Sequence, residues 1–375
     1  MGFAANVMVD AAAVGFAPGF QPDPALAQED GIDILALSGG GAQGAYGAGV
    51  IAGWTQSGAR PTPQIVSGVS TGGLMAPFAF LGPAYDDRLR AAFSDDPETA
   101  HLLRWRGPSL LWKPGVFSGE PLKRLVGRYV DADLIAAVAR EDAGGRRLLI
   151  ATTALDSQRT TVWNMGAIAR RGGVEAVGLF RQVLVASASI PAALPPVEIA
   201  VEVGPRRFTE MHVDGSTTAP FFTVPESLLL WTAPGGRKLK GRLTVVLNAQ
   251  VRPEFRVTPN APVPVAKDSL IALNNAFART SLAATAAFCR RNGLKFQVAT
   301  MPTDADSGGI LDFRTATMQG LFARGLSDGR SGRAWLPGLE DSWLDRQALE
   351  AGIGGSPSAA EPPGAEEGAE PGGKQ

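Results

Sequence analysis

Three short clusters hold the residues able to do chemistry in this chain. Gly39-Gly40-Gly41-Ala42-Gln43-Gly44 follows the apolar run Ile34-Leu35-Ala36-Leu37, and Gly68-Val69-Ser70-Thr71-Gly72 follows Ile65-Val66. Far downstream, Met211-His212-Val213-Asp214-Gly215-Ser216 reads as a strand ending in an acidic turn. In Gly-x-Ser-x-Gly the flanking Gly68 and Gly72 relieve crowding around a serine held on a tight strand-to-helix turn. Its hydroxyl then projects at a helix N-terminus, where the dipole and free N–H groups favour negative charge. An attacking oxygen and a tetrahedral intermediate both develop such charge. The layout therefore suits acyl transfer, with Ser70 as the candidate nucleophile. By itself, Asp-Gly is only a turn signature.

The first glycine cluster has two functional readings. A Gly-x-Gly-x-x-Gly loop between strand and helix also fits a dinucleotide site, which calls for an acidic residue about 20 positions on. No Asp or Glu occurs from Ile34 through Tyr85, and the second strand ends in Gly68-Val69-Ser70. A nucleotide cofactor is not expected. In the other reading Gly40 and Gly41 present backbone N–H groups to a developing oxyanion, since consecutive glycines let the backbone approach a substrate with no side chain in the way. Gly44, Gly47 and Gly49 also suit close helix–strand packing, a role compatible with that one.

Elements able to position these clusters alternate along the chain. Strands are predicted at Asp33–Leu37, Gln64–Ser67, Arg147–Thr152, Thr160–Trp163, Arg242–Asn248 and Lys295–Thr300. Helices are predicted through Ala42–Gln56, Gly73–Phe80, Pro121–Val130, Asp133–Arg140, Gly178–Ser187, Asp268–Arg291 and Asp312–Gly325. The alternation implies an α/β fold with a largely parallel central sheet flanked by helices. At 375 residues and 45% apolar composition, the chain can bury a large core. A net charge of -1 gives no sign of a nucleic-acid partner. The single cysteine, Cys289, excludes an internal disulfide and a multi-cysteine metal cluster, and two histidines, His101 and His212, exclude a His-rich metal site.

Taken together and in this order, the three clusters resemble those of the patatin-like phospholipases. The resemblance runs from about Ile32 to Val224. It implies a three-layer α/β sandwich and lipid acyl hydrolysis through a Ser–Asp dyad without a cofactor. On that basis Gly39, Gly40, Gly41 and Gly44 correspond to the family's oxyanion loop, Ser70 to its nucleophile and Asp214 to its general base. Ala188-Ser189-Ile190-Pro191-Ala192-Ala193-Leu194-Pro195-Pro196 is similar to the small-residue and proline stretch that precedes the family's catalytic acid. Gly215 keeps the acid motif, whereas Ser216 departs from it, since the family usually has Gly or Ala there. A soluble ester or thioester hydrolase with the same dyad and a catalytically weak lipid-binding module are the alternative readings.

His212 raises the question of a triad. Residues two apart on a strand share a face, so His212 and Asp214 lie side by side. A relay needs the imidazole between acid and nucleophile instead. The expectation is that Asp214 acts directly on Ser70 while His212 packs or hydrogen-bonds nearby.

Organisation follows from composition. Residues 1–30 read as a flexible leader or export remnant: Ala25-Leu26-Ala27 resembles a cleavage site, but no Lys or Arg precedes Arg60 and Pro18 interrupts the apolar stretch. Residues 31–230 form the expected catalytic domain, 231–345 an α/β extension packed on the same fold, and 352–375 a disordered tail. No apolar run approaches the roughly 20 residues that span a bilayer, which leaves cell-envelope and cytoplasmic locations both open. Leu102-Leu103-Arg104-Trp105-Arg106 and Leu110-Leu111-Trp112-Lys113 mix aromatic and basic residues, which suits either contact with a lipid surface or ordinary core packing. Leu228-Leu229-Leu230-Trp231 reads as core.

Overall fold

The continuous apolar runs become the middle of one sheet. A computed structural model describes residues 8–10, 31–103, 114–203, 206–224, 229–230, 232–233, 238–250, 257–305 and 308–336, all within the unit Met1–Pro337. In chain order the elements are β1 (Met8–Asp10), β2 (Ile32–Leu37), α1 (Gly44–Gln56), β3 (Ile65–Val69), α2 (Thr71–Leu81), α3 (Asp86–Arg90), α4 (Glu120–Tyr129), α5 (Ala132–Ala143), β4 (Arg147–Ala154), β5 (Arg159–Asn164), α6 (Met165–Arg171), α7 (Gly173–Ser187), β6 (Val197–Val203), β7 (Arg206–Asp214), β8 (Gly241–Leu247), α8 (Pro262–Asn292), β9 (Lys295–Thr300) and α9 (Thr315–Ser331).

The strands form one sheet in the order β1-β5-β4-β3-β2-β8-β9, with β7 also pairing β4 and β6 pairing β7. The five central strands β4-β3-β2-β8-β9 run parallel. Strands buried on both faces need near-continuous apolar sequence: every residue of β3 is buried, as are Ile34–Leu37 of β2. Antiparallel β5 and the β6–β7 hairpin extend the β4 side. Helices cover the sheet, giving the expected three-layer α/β fold. Met8–Asp10, inside the stretch read as a leader, pairs with β5. The rest of that stretch, the tail at 352–375, Arg104–Arg106, Leu110–Lys113, Leu228 and Trp231 lie outside the described residues; of the run read as core, Leu230 is exposed instead.

Two registers decide where the clusters meet. β3 runs along one edge of β4 until Val69 pairs with Ala151. β7 enters on that same edge from the opposite direction and ends with Asp214 paired to Thr152, the next residue of β4. The two strands thus abut end to end. The residue after Val69 is Ser70, so the Ser70 turn and the Asp214 turn are forced together. Gly215 is required at this junction, because a Cβ there would lie 2.5 Å from the Ala151 carbonyl oxygen and 2.9 Å from Val69.

α1, which carries the first glycine loop, is clamped by α9. Gly49 and Gly53 meet the backbone of Phe322 and Leu326, while Gly325 and Gly329 meet that of Tyr46 and Val50. Small residues every fourth position on both helices let the two backbones touch. Tyr46 and Trp54 of α1 and Leu321 and Phe322 of α9 complete a buried interface.

Candidate active site

Ser70 occupies the sharp turn between β3 and α2, at φ 56° and ψ −127°. A non-glycine residue at positive φ costs on the order of 1–3 kcal/mol and persists only where its surroundings enforce it. Here the enforcement is visible. The Ser70 N–H donates to Ser187 Oγ at 2.9 Å, and Ser187 Oγ donates in turn to the Ala151 carbonyl at 2.7 Å. Gly68 and Gly72 give the turn its room: a Cβ on the first would strike the Gly72 carbonyl, and one on the second the Leu37 carbonyl.

The Ser70 hydroxyl donates to Asp214 Oδ2 at 2.5 Å. Asp214 Oδ1 accepts from the Ser216 N–H at 2.8 Å, and the Asp214 N–H donates to the Ser189 carbonyl at 2.9 Å. Serine and aspartate are 4% and 3% exposed. Burial pushes the Asp214 carboxyl up to about 6, against the hydrogen bonds from Ser70 and Ser216 that pull it down. A carboxylate titrating near neutrality is a better proton acceptor than an exposed one.

His212 is buried but turned to other partners. Its Nδ1 lies 3.0 Å from Thr152 Oγ1, and its Nε2 3.3 Å from Glu210 Oε2. Trp163 Nε1 donates to the same Thr152 oxygen at 2.8 Å. The Glu210 carboxylate can only accept, so Nε2 carries the imidazole proton and Nδ1 accepts from the Thr152 hydroxyl. Desolvation lowers the His212 pKa to about 4, so the ring is neutral and hydrogen-bonded away from Ser70. His101 is exposed at the end of a short 3-10 turn.

The glycine loop passes beside the serine: a Cβ on Gly39 would lie 3.2 Å from Ser70 Cβ and would strike Ser216 Oγ. Its N–H groups are not equivalent. Gly39 donates to the Pro220 carbonyl at 3.1 Å, Ala42 to that of Ile310 at 2.9 Å, and Gly44 back into its own turn. This corrects the expectation for Gly39 and Gly44, whose N–H groups are spent inside the fold. Gly39 leaves space for Ser216, and Gly44 leaves space for Thr71. Only Gly40 and Gly41, at φ 159° and 56°, keep N–H groups that donate to no acceptor among the described residues. Next to them, Gly41 and Thr71 open a narrow apolar pocket that runs past Leu74 and Phe78 of α2 to Leu125 and Tyr129 of α4, with a cavity volume of about 50 Å³.

Residues 35–225, just over half of the chain, match the family described as Patatin-like phospholipase. The chain belongs to the patatin-like phospholipase family. Family membership implies hydrolysis of lipid acyl esters. Among solved structures, the chain is similar to VipD from Legionella pneumophila, at 12% identity and a TM-score of 0.39, over 80% of this chain and 67% of that one. No curated protein matches it.

Two further residues shape the site that the sequence motifs do not mark. Ser187, at the end of α7, holds the Ser70 turn. Asn248, just past β8, holds the glycine loop: its Nδ2 donates to the Ser38 carbonyl at 2.7 Å and its N–H to Ser38 Oγ at 2.7 Å. Both are fully buried polar residues. That combination, a lone polar residue closing an apolar strand or helix, is the one signal the sequence offers for them.

Proposed function

We propose that the protein is a serine-dependent lipid acyl hydrolase working through a Ser70–Asp214 dyad and an acyl-enzyme. The observation that carries this reading is the 2.5 Å contact between the Ser70 hydroxyl and the Asp214 carboxylate, in a site where both histidines are otherwise disposed. Asp214 takes the Ser70 proton as Oγ attacks the ester carbonyl carbon. The carbonyl oxygen becomes an oxyanion against the N–H groups of Gly40 and Gly41. Collapse expels the alcohol, which receives the proton from Asp214, and leaves the acyl group on Ser70. A water then gives its proton to Asp214 and attacks the acyl carbon, and Ser70 leaves with that proton.

The apolar pocket beginning at Gly41 and Thr71 is the seat for the acyl chain, since its wall has few polar groups to pair with a head group. A buried carboxylate near pKa 6 is a modest base, so the oxyanion donors supply the larger share of the rate; losing one such donor typically costs about 2.7–4 kcal/mol. Labelling with a fluorophosphonate probe followed by peptide mapping tests this directly. Label on Ser70, abolished in Ser70→Ala, is expected; a folded protein that takes up no label there loses the assignment. Comparing micellar with monomeric ester substrates separates a lipid hydrolase from an enzyme of soluble esters.

A further inference from the structure

α8 is too long for its task. It links β8 to β9, parallel neighbours of seven and six residues, whose length is about 20–23 Å. A helix of 31 residues is about 46 Å long. Its C-terminus is fixed at the amino ends of these strands: the Asn292 carbonyl accepts from the Leu239 N–H at 2.7 Å, and β9 starts three residues later opposite Arg242. The helix therefore runs back against the strand direction, and its surplus lies past their carboxyl ends. That is the end at which Ser70 follows β3.

Burial follows this division. In the second half Ala278, Leu282, Ala286, Phe288 and Cys289 are buried. In the first half Val265, Leu270, Leu273 and Phe277 are 46%, 59%, 66% and 38% exposed. Leu270, Leu273 and Phe277 stand at i, i+3 and i+7, so they form one stripe. The half-covered residues there are Pro264, Asp268, Ile271 and Asn275, on the opposite side, followed by Arg279 in the next turn. A surface helix ordinarily turns its apolar stripe to the core and its charges to water. This segment instead turns Leu270, Leu273 and Phe277 to water.

We propose that the amino-terminal half of α8 docks the protein on a lipid surface, with Leu270, Leu273 and Phe277 entering the interface. The proposal rests on the lipid-hydrolase reading above, because it is the substrate that selects the occupant. A phospholipid is presented in an aggregate, and this stripe projects on the side of the molecule that holds the nucleophile. Charge agrees with a zwitterionic surface: the segment 262–277 carries one Lys and one Asp, so nothing in it selects anionic lipid. Interfacial helices bury their apolar face roughly 5–10 Å deep, a depth that three large side chains on adjacent turns can fill.

The test is co-sedimentation of the full chain with vesicles of ether-linked phosphatidylcholine, which the site cannot cleave. It compares the natural protein with the triple variant Leu270→Gln, Leu273→Gln and Phe277→Gln. All three positions are solvent-facing and glutamine is a good helix former, so circular dichroism should be unchanged. The natural protein is expected to sediment, and the variant to bind about tenfold more weakly or worse. Turnover of a monomeric p-nitrophenyl ester should be equal in both. Equal sedimentation of the two, or none by the natural protein, overturns the docking role. So does light scattering that shows a dimer converted to a monomer by the substitutions, which would give the stripe to a second copy of the chain. Absence of ester turnover in both proteins would instead count against the hydrolase reading, while sedimentation still decides the helix.

Discussion

Ser187 Oγ stands between the Ser70 N–H and the Ala151 carbonyl, accepting from one at 2.9 Å and donating to the other at 2.7 Å. It ties the end of α7 to the turn that bears the nucleophile and to the strand beside it. The positive φ of Ser70 is held by this bridge, with Gly68 and Gly72 making the space.

Ser187→Ala should leave a buried donor and a buried acceptor unpaired, costing about 1–3 kcal/mol. The turn can then relax toward ordinary dihedrals, so kcat should fall more than KM rises. Denaturant unfolding and ester kinetics on one preparation check both; loss of stability with intact kcat would reduce Ser187 to a packing role.

The ascending limb of kcat/KM against pH should lie near 6, where Asp214 loses its proton and becomes a base. Stability moves the other way. Because the folded pKa lies above the unfolded value of 3.8, the contribution of Asp214 is fully present below about 4 and is lost as pH rises through about 6. Asp214→Asn should therefore abolish turnover yet stabilise the fold at pH 8, by on the order of 2–3 kcal/mol. Urea unfolding of both proteins at pH 4 and pH 8 measures the difference, which should shrink at the lower pH.

His212→Ala should retain most activity, as should His101→Ala, since the His212 ring is hydrogen-bonded to Thr152 and Glu210 rather than to Ser70 or Asp214, and His101 is exposed. The cost of the first is structural: removing a buried ring between Thr152, Glu210 and Trp163 leaves a cavity and unpaired groups, about 2–4 kcal/mol in sum. Natural His212, with a pKa depressed to about 4, makes the fold less stable as pH falls from 6.5 toward 4, and the variant should lose that slope. A histidine variant as inactive as Ser70→Ala, in folded protein, would replace the dyad by a triad.

Asn248→Ala should loosen the glycine loop at Ser38 and lower kcat roughly 10- to 100-fold with KM little changed, because the loop donors act mainly on the developing oxyanion. Single-turnover acylation of the folded fraction measures it.

The parts of this site visible in the sequence are those whose chemistry is local. Gly68-Val69-Ser70-Thr71-Gly72 announces its own turn, and buried parallel strands such as β2 and β3 are continuous apolar runs. β6 lacks such a run, because a hairpin strand with one wet face alternates Glu198 outward with Ile199 inward. Nor can spacing tell which loop N–H groups are spent: Gly39 and Gly41 look alike until Pro220 arrives to take one of them. Ser187 and Asn248 are specified by the tertiary partners they meet, and no neighbouring residue hints at those.

The end-to-end junction of β3 and β7 makes the site all-or-none. Ala151 and Thr152 act as consecutive teeth of one ratchet: the first indexes Ser70, the second Asp214. Slipping β7 by a single tooth displaces Asp214 by about 3.3 Å and turns its carboxylate to the other face of the sheet. No half-aligned intermediate lies between these positions. Heating should therefore extinguish activity in step with detachment of the β6–β7 hairpin, leaving the surviving molecules fully competent rather than each a little slower.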